Sequence, residues 1–434
     1  MSLLRRFDDD ERFDFEGVRR FERRICECLD AVVALGQPFQ TSAEPGVPFA
    51  GVDVLAEAVQ YGRDALTADP ARAFARTFVL TSIAGEDTVR AALLALKQSP
   101  PYTYRAQAEA FVLSPNKALG PALRKLARDD DPLVAGLALD TLARRDEVEI
   151  GVVLPLVEHP VEEVRLGAIA ALGRAKEHRA AAQILIDICD QELDDDIFVE
   201  AVEGLITLGY RAGLTRLRER LDEEEAERGV LPEQLRMRCM QLLGMAGNAG
   251  DYARLLQLYY GDVGQALALG FHGHPALVAE LIAALDSSRE GGLYLGRRGM
   301  RDAARALFRI TGAPLFQERP SGQDPYDIVT DQRVWLDWWG SNEERFEPTV
   351  RYRYGKPFSL LSSVEELARD RAPFGVRAAC ARELSLYDLP ERVSVTAFVR
   401  DQEQKLSVLR DFLTNDVVAA DPKFAPGRWL TLLR

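Results

Sequence analysis

The chain has 434 residues, 47% of them hydrophobic, and carries a formal charge of −14 from 54 basic and 68 acidic side chains. That length exceeds one compact core and suits several domains or one long solenoid. The acidic balance argues against a phosphate-backbone partner, so no nucleic acid is expected. Five scattered cysteines give no disulfide framework. No apolar run reaches the roughly 18 residues of a membrane span, and Met1 to Asp10 holds no signal core. The expectation is a cytoplasmic protein without membrane insertion.

Residues 14 to 35 read as an amphipathic helix, with Phe21, Ile25, Leu29 and Val32 on one face and Gly36 closing it. A loop with Pro38, Pro45, Gly46, Pro48 and Gly51 comes next, and helical periodicity resumes over 53–67. Residues 1–66 are therefore set apart as an N-terminal helical segment.

From 67 to 315 one pattern recurs. In Pro160 to Gly173, Val164, Ala168 and Leu172 share a helix face, with Pro160 at the start and Gly173 just past the end. Equivalent leucine or isoleucine positions fall at Ile83, Leu113, Leu142, Leu172, Leu208 and Leu243. A period near roughly 30 residues is the mark of stacked helical hairpins. The fullest copies read aliphatic, Arg, then a small residue, then Leu: Val164-Arg165-Ala168-Leu172, Leu235-Arg236-Cys239-Leu243 and, downstream, Val376-Arg377-Cys380-Leu384. The small residue permits close helix approach, so Cys239 and Cys380 are core residues rather than nucleophiles. The Arg is expected to reach a neighbouring hairpin or a carboxylate at its loop. Second helices fall at Val89–Leu96, Val153–Val157 (shortened by Pro155), Ile184–Cys189 and Leu214–Leu221. The acidic runs at Asp129 to Asp131 and Asp194 to Asp196 suit helix starts. Asp190 to Asp196 and Asp222 to Arg228 read as loop insertions along one edge. Arg298, Arg301, Arg305 and Arg309 read as the solvated side of a helix whose Ala304 and Phe308 face inward.

Residues 316–434 read as an aromatic-rich linker and a C-terminal helical cap with one further repeat-like hairpin. Asp331 to Trp339 is expected to be a short helix, and Thr349 to Pro357 an extended arm. Trp335, Trp338, Trp339, Arg351, Tyr352, Arg353 and Tyr354 have the composition of a protein-interface hot spot and are the candidate partner-binding residues. The alternative is that the tryptophans pack the last repeat against the C-terminal part of the chain.

The aliphatic-Arg-x-x-small-x-x-x-Leu-Gly run resembles the short HEAT-like repeats of bilin-lyase-type proteins. The wider layout is similar to a family of uncharacterised bacterial HEAT-repeat proteins often encoded beside type VI secretion genes. The residues that carry this are the helix Arg19 to Leu35, the closing run Phe308 to Leu315, Trp338-Trp339, Arg351-Tyr352 and Gly355 to Pro357. The resemblance implies an all-α, HEAT-like α-solenoid with an irregular C-terminal cap. It implies a protein-binding adaptor or chaperone-like role, with a toxin-binding immunity protein as the alternative, and brings no catalytic residues.

His272 and His274 are two apart in a turn but fix no third ligand, so no metal is expected. There is no Gly-x-Ser-x-Gly, no phosphate-binding loop and no His-Glu-x-x-His, so no enzyme and no cofactor is expected. A lyase- or glycosylase-like activity would require an acid in a basic channel.

Overall fold

A computed structural model describes residues 70–83, 85–175, 177–191, 194–227, 233–259, 266–286, 297–316, 328–370, 372–387, 389–397, 399–415 and 425–429. The segment expected over 1–66, with Cys26 and Cys28, lies outside them, as does Gly291-Gly292.

The helices are α1 (Pro70–Ser82), α2 (Glu86–Lys97), α3 (Tyr104–Leu113), α4 (Leu119–Leu126), α5 (Pro132–Arg144), α6 (Ile150–Val153), α7 (Glu162–Leu172), α8 (His178–Gln191), α9 (Asp195–Thr207) and α10 (Arg211–Glu227). They continue with α11 (Glu233–Ala246), α12 (Tyr252–Tyr259), α13 (Ala266–His272), α14 (Leu277–Ala283), α15 (Arg297–Thr311) and α16 (Gln332–Gly340). A two-stranded antiparallel hairpin, β1 (Tyr352–Arg353) and β2 (Lys356–Pro357), precedes α17 (Leu360–Leu367), α18 (Phe374–Ser385) and α19 (Val399–Thr414).

The chain is an all-α, HEAT-like solenoid, and its described residues fall into two compact units: 70–204 with 394–402, and 205–393 with 403–429. In the first unit the first helices α1, α3, α5 and α7 pack on one another, with second helices α2, α4, α6 and α8 against them. In the second unit α11, α13 and α15 form the same kind of stack, α14 packs on α15 and α16, and α17 pairs with α18. Of the repeat positions, Ile83, Leu142, Leu172, Leu208 and Leu243 are buried and Leu113 is half-buried. Cys239 and Cys380, at the small position, are buried.

Gly173, expected just past the end of its helix, does stand at the C-cap, but not for its conformational freedom. Its φ is −60°, which any residue adopts. What it needs is room: a Cβ there would come within 2.7 Å of Gly204 Cα. Gly270 lies inside α13 and a Cβ on it would sit 2.9 Å from Ala306 Cα, and one on Gly244 would run into the Ala268 carbonyl oxygen. At Gly173, Gly244 and Gly270 the Leu-Gly pairs are thus contacts between the backbones of stacked first helices, whereas Gly209, at φ +83° with no close neighbour, does reverse the chain.

Asp131 caps α5, its side chain accepting from Leu133 N–H at 3.0 Å, and Asp194 caps α9, accepting from Asp196 N–H at 3.0 Å. The acidic insertions are smaller than expected. α8 reaches Gln191 and α9 starts at Asp195, while α10 runs on through Glu223-Glu224-Glu225 to Glu227, because glutamate is a good helix former. Pro155 does shorten its helix: α6 ends at Val153 and a 3-10 turn covers Leu154–Leu156. Arg377 of the downstream copy, and Arg76 at the like place in α1, find oxygen acceptors within their own hairpins. Buried Arg76 donates to Ser99 Oγ at 3.0 Å at the end of its own hairpin, and Arg377 donates to the Leu367 carbonyl at the end of α17.

Candidate functional site

Asp331 starts α16 by accepting from Arg333 N–H at 2.8 Å. This aims Trp335 and Trp339 inward. Trp335 is fully buried and its Nε1–H donates to the Val329 carbonyl at 2.7 Å. The Trp339 ring lies 5.2 Å from Phe346, which lies 4.9 Å from Tyr352. Trp338 is half-buried against the same cluster.

The extended arm then crosses the C-terminal ends of two first helices. Tyr352 N–H donates to the Gly273 carbonyl at 2.9 Å, just past α13. Tyr354 N–H donates to Arg309 O at 2.6 Å and Gly355 N–H to Ile310 O at 3.0 Å, in the last turn of α15. Gly312 turns the chain here at φ +64°, and a side chain on it would meet the Tyr354 carbonyl. Arg351 and Arg353 complete the cap from the side-chain end, donating to Phe271 O at 2.7 and 3.4 Å. Carbonyls left over at a helix end take cations well.

The arginines need counter-charge, and α17 and α18 supply it. Glu383 sits between Arg351 (2.6 Å) and Arg353 (3.0 Å) and accepts from Ser363 Oγ at 2.6 Å. Glu366 pairs with Arg309 at 2.5 Å and accepts from the Tyr354 hydroxyl. The Arg351, Arg353, Glu366 and Glu383 side chains are at most 1% exposed. Burial pushes Glu383 up, but Arg353 and Arg351 more than reverse this and hold it below the ordinary carboxylate range. Burial likewise pulls Arg309 down, and Glu366 overrides it, so the guanidinium stays charged.

All seven residues singled out at 335–354 thus come together, but five of them, Trp335, Trp339, Arg351, Tyr352 and Arg353, are buried and Trp338 and Tyr354 are half-buried. They form a largely interior clamp, with the arm held against α17 and α18 through Glu366 and Glu383. Arg309, expected on a solvated helix side, is interior as well, 2% exposed with its guanidinium 4.0 Å over the Phe271 ring. Arg301 is exposed as expected. Glu366 and Glu383 are the counter-ions of this cluster that sequence reasoning misses. A signal for them exists in the alternating Arg351-Tyr-Arg353-Tyr: two buried cations one pleat apart require buried anions elsewhere.

His272 and His274 use their ring nitrogens on backbone. His272 Nε2 lies 3.0 Å from Asn248 O, and His274 Nδ1 accepts from Ala276 N–H at 3.1 Å. Among the described residues no group of three potential metal ligands assembles. Burial drives His272 down to about 3. The unfolded value lies near 6.5, and this sets the sign. Above it the contribution of the neutral imidazole is complete; between about 6.5 and about 3 the unfolded state takes up a proton that the folded state refuses, and stability falls. The expected loss is roughly 1.4 kcal/mol per pH unit at most. Urea titrations of the wild type and His272→Gln at pH 7 and pH 5 check this, the variant showing the shallower dependence.

Exposed apolar side chains recur in the first unit near the points where a second helix hands over to the next first helix. Leu94 lies in the last turns of α2, Tyr102 in the turn before α3, Leu133 in the first turn of α5 and Leu154 in the turn after α6. Their exposures run from 45% for Leu133 to 64% for Tyr102. Exposed Asp130, Glu158, Glu162 and Glu163 stand near Leu133 and Leu154 in the chain. Asp129 there holds Lys97. Burial raises the Tyr104 hydroxyl above its usual range, helped by Asp131 and Asp129. Sequence reasoning misses these exposed apolar side chains because Leu94 fits the core periodicity and Leu133 hides behind Pro132. Further along the first helices Arg144 makes a two-pronged pair with Glu109, at 2.8 and 2.5 Å. Asp140 stands 3.4 Å from Arg144 on the same helix, so this face mixes signs and is no basic channel.

Residues 120–206, spanning α4 to α9, match the HEAT repeats family. The matched stretch contains the Arg165, Ala168, Leu172 and Gly173 positions. No curated protein matches the chain. HEAT repeats in general serve protein interaction, which fits a stack whose fixed positions are core and whose variable ones face out. No helix among the described residues is long and apolar enough to cross a membrane.

Proposed function

We propose that this chain is a non-enzymatic protein-binding scaffold that takes its partner along the inter-repeat edge of the first unit. The observation that carries the reading is the row Leu94, Tyr102, Leu133 and Leu154, exposed at successive repeat turns and interleaved with carboxylates. Large apolar side chains left in water serve association better than folding, and the carboxylates favour a partner with basic residues around an apolar strip. The resemblance in layout supports a cytoplasmic adaptor or chaperone-like role connected with type VI secretion. A toxin-binding immunity protein is the second reading, favoured by the same acidic edge, since it suits a basic toxin surface. A lyase or glycosylase is disfavoured by the mixed-sign face around Glu109, Asp140 and Arg144.

The experiment is affinity capture of the products of adjacent genes by the wild-type chain and by a Leu94→Glu, Tyr102→Glu, Leu133→Glu, Leu154→Glu variant. Capture of a spike or tip component supports the adaptor, and of a toxin the immunity protein. The variant is expected to lose capture at least about 10-fold at unchanged circular dichroism, because interface energy concentrates in a few apolar anchors. Capture unaffected by the four charges would overturn the assigned edge.

A further inference from the structure

Within the second unit, residues 425–429 insert a turn into the open end of the hairpin. Arg351 N–H donates to Gly427 O at 2.8 Å, and Gly427 N–H donates to Phe358 O at 2.8 Å. Phe358 N–H in turn donates to Arg351 O, also at 2.8 Å, closing the hairpin at the same level. Gly427 therefore sits between the open ends of the two strands, in place of the Arg351 N–H to Phe358 O bond that would close the next pair of the ladder. The position demands glycine: φ is +79°, and a Cβ would lie 2.8 Å from Val350 Cγ1. Two residues on, the Trp429 ring lies 4.5 Å from His272 and 5.8 Å from His274, with the Arg351 guanidinium 6.0 Å away. Tyr252 stacks on His274 at 4.4 Å.

The seat is filled imperfectly. Trp429 Nε1–H is buried and has no acceptor. His272 is fully buried, and its Nδ1 has no donor although Nε2 is engaged with Asn248. A stranded donor and a stranded acceptor under one ring are a cost that a permanent core contact would have eliminated. A phenyl ring would fill the same seat without stranding a donor. Among the described residues, two backbone bonds and the Trp429 ring hold the segment, as suits a part of a fold that opens locally.

We propose that residues 425–429 fill, in cis, a groove that binds peptides of the form Gly-x-aromatic with the glycine in a left-handed turn, and that such a segment of another protein enters by displacing them. The groove is a second protein-binding site, and its test stands apart from that of the apolar edge. Hydrogen exchange on the full chain is the first measurement. The amides of Arg351 and Gly427 are expected to exchange at least about 10-fold faster than those of Phe358 and Tyr354, which bond within the hairpin and to α15. Equal rates would mean that the segment never leaves and would overturn the proposal. The second is binding of a fluorescent peptide of residues 422–434 to the full chain carrying Gly427→Val, whose own segment cannot seat. It is expected to bind at least about 10-fold more tightly than to the wild type, and the same peptide with Trp429→Ala at least about 10-fold more weakly. A Gly427→Val chain that binds no better than wild type contradicts the groove; if that variant does not fold, the exchange rates decide.

Discussion

Replacing Glu383 by leucine is expected to cost the second unit about 3–5 kcal/mol, among the largest single effects in the chain. Glu383 is the shared counter-ion of Arg351 and Arg353, and all three side chains are at most 1% exposed. Leucine removes the anion and leaves two guanidiniums in the interior. Glu366 lies 3.8 Å from Arg353 but is already committed to Arg309. The cost therefore comes from uncompensated burial rather than from the lost attraction itself. Two consequences separate these. A chain with Glu383→Leu, Arg351→Met and Arg353→Met together should recover most of the loss, since an apolar replacement of a whole buried ion cluster is often neutral. The recovery stays incomplete because Arg351 and Arg353 also cap Phe271 O. The pH dependence has a definite sign. Glu383 is held below the ordinary carboxylate range, so its contribution is complete above that range and is lost as pH falls through the lower folded value. Urea unfolding followed by circular dichroism at pH 7 and pH 3 measures both, and Glu383→Leu should narrow the difference between the two pH values.

Gly244→Val is the second large effect. The position is inside α11, with ordinary helical neighbours, and propensity alone would make any larger residue an improvement. Packing decides otherwise, because the new side chain would run into the Ala268 carbonyl on the adjacent first helix. Forcing the two backbones apart is expected to cost about 1–3 kcal/mol, or more if α11 and α13 cannot slide. Gly136 in α5 makes the control. A Cβ there meets nothing nearer than Glu163 O at 3.6 Å, so Gly136→Ala should stabilise by about 0.5–1 kcal/mol. Thermal melts of the two variants should shift in opposite directions. A melt in which both glycines respond alike would show that propensity rather than inter-helix space governs these positions.

These two positions also show what the amino-acid order reveals and what it withholds. The stack is legible because its cause is periodic: Leu142, Leu172 and Leu243 bury at the same phase of each first helix, and periodicity survives without coordinates. Leu-Gly is visible as a pattern but suggests chain reversal, since glycine after a helix usually serves φ above zero. The approach of Gly204 to Gly173 brings together residues that no local rule pairs. The Trp and Arg segment shows the same limit more sharply. Aromatics with arginine have the same composition in an interface and in a wet-edged core, and Glu366 and Glu383, which put them inside, come later in helices of ordinary appearance. The edge of Leu94, Tyr102, Leu133 and Leu154 is obscured because a single apolar residue near a helix end satisfies core periodicity and exposure equally well.

The division between an interior clamp at 335–354 and an exposed edge at 94–154 can be read in one experiment, hydroxyl-radical footprinting of the intact chain followed by mass spectrometry. Oxidation is expected at Leu94, Tyr102, Leu133 and Leu154 and not at Trp335 or Tyr352. Rapid oxidation of Trp335 and Tyr352 with protection of Tyr102 and Leu133 would contradict the division.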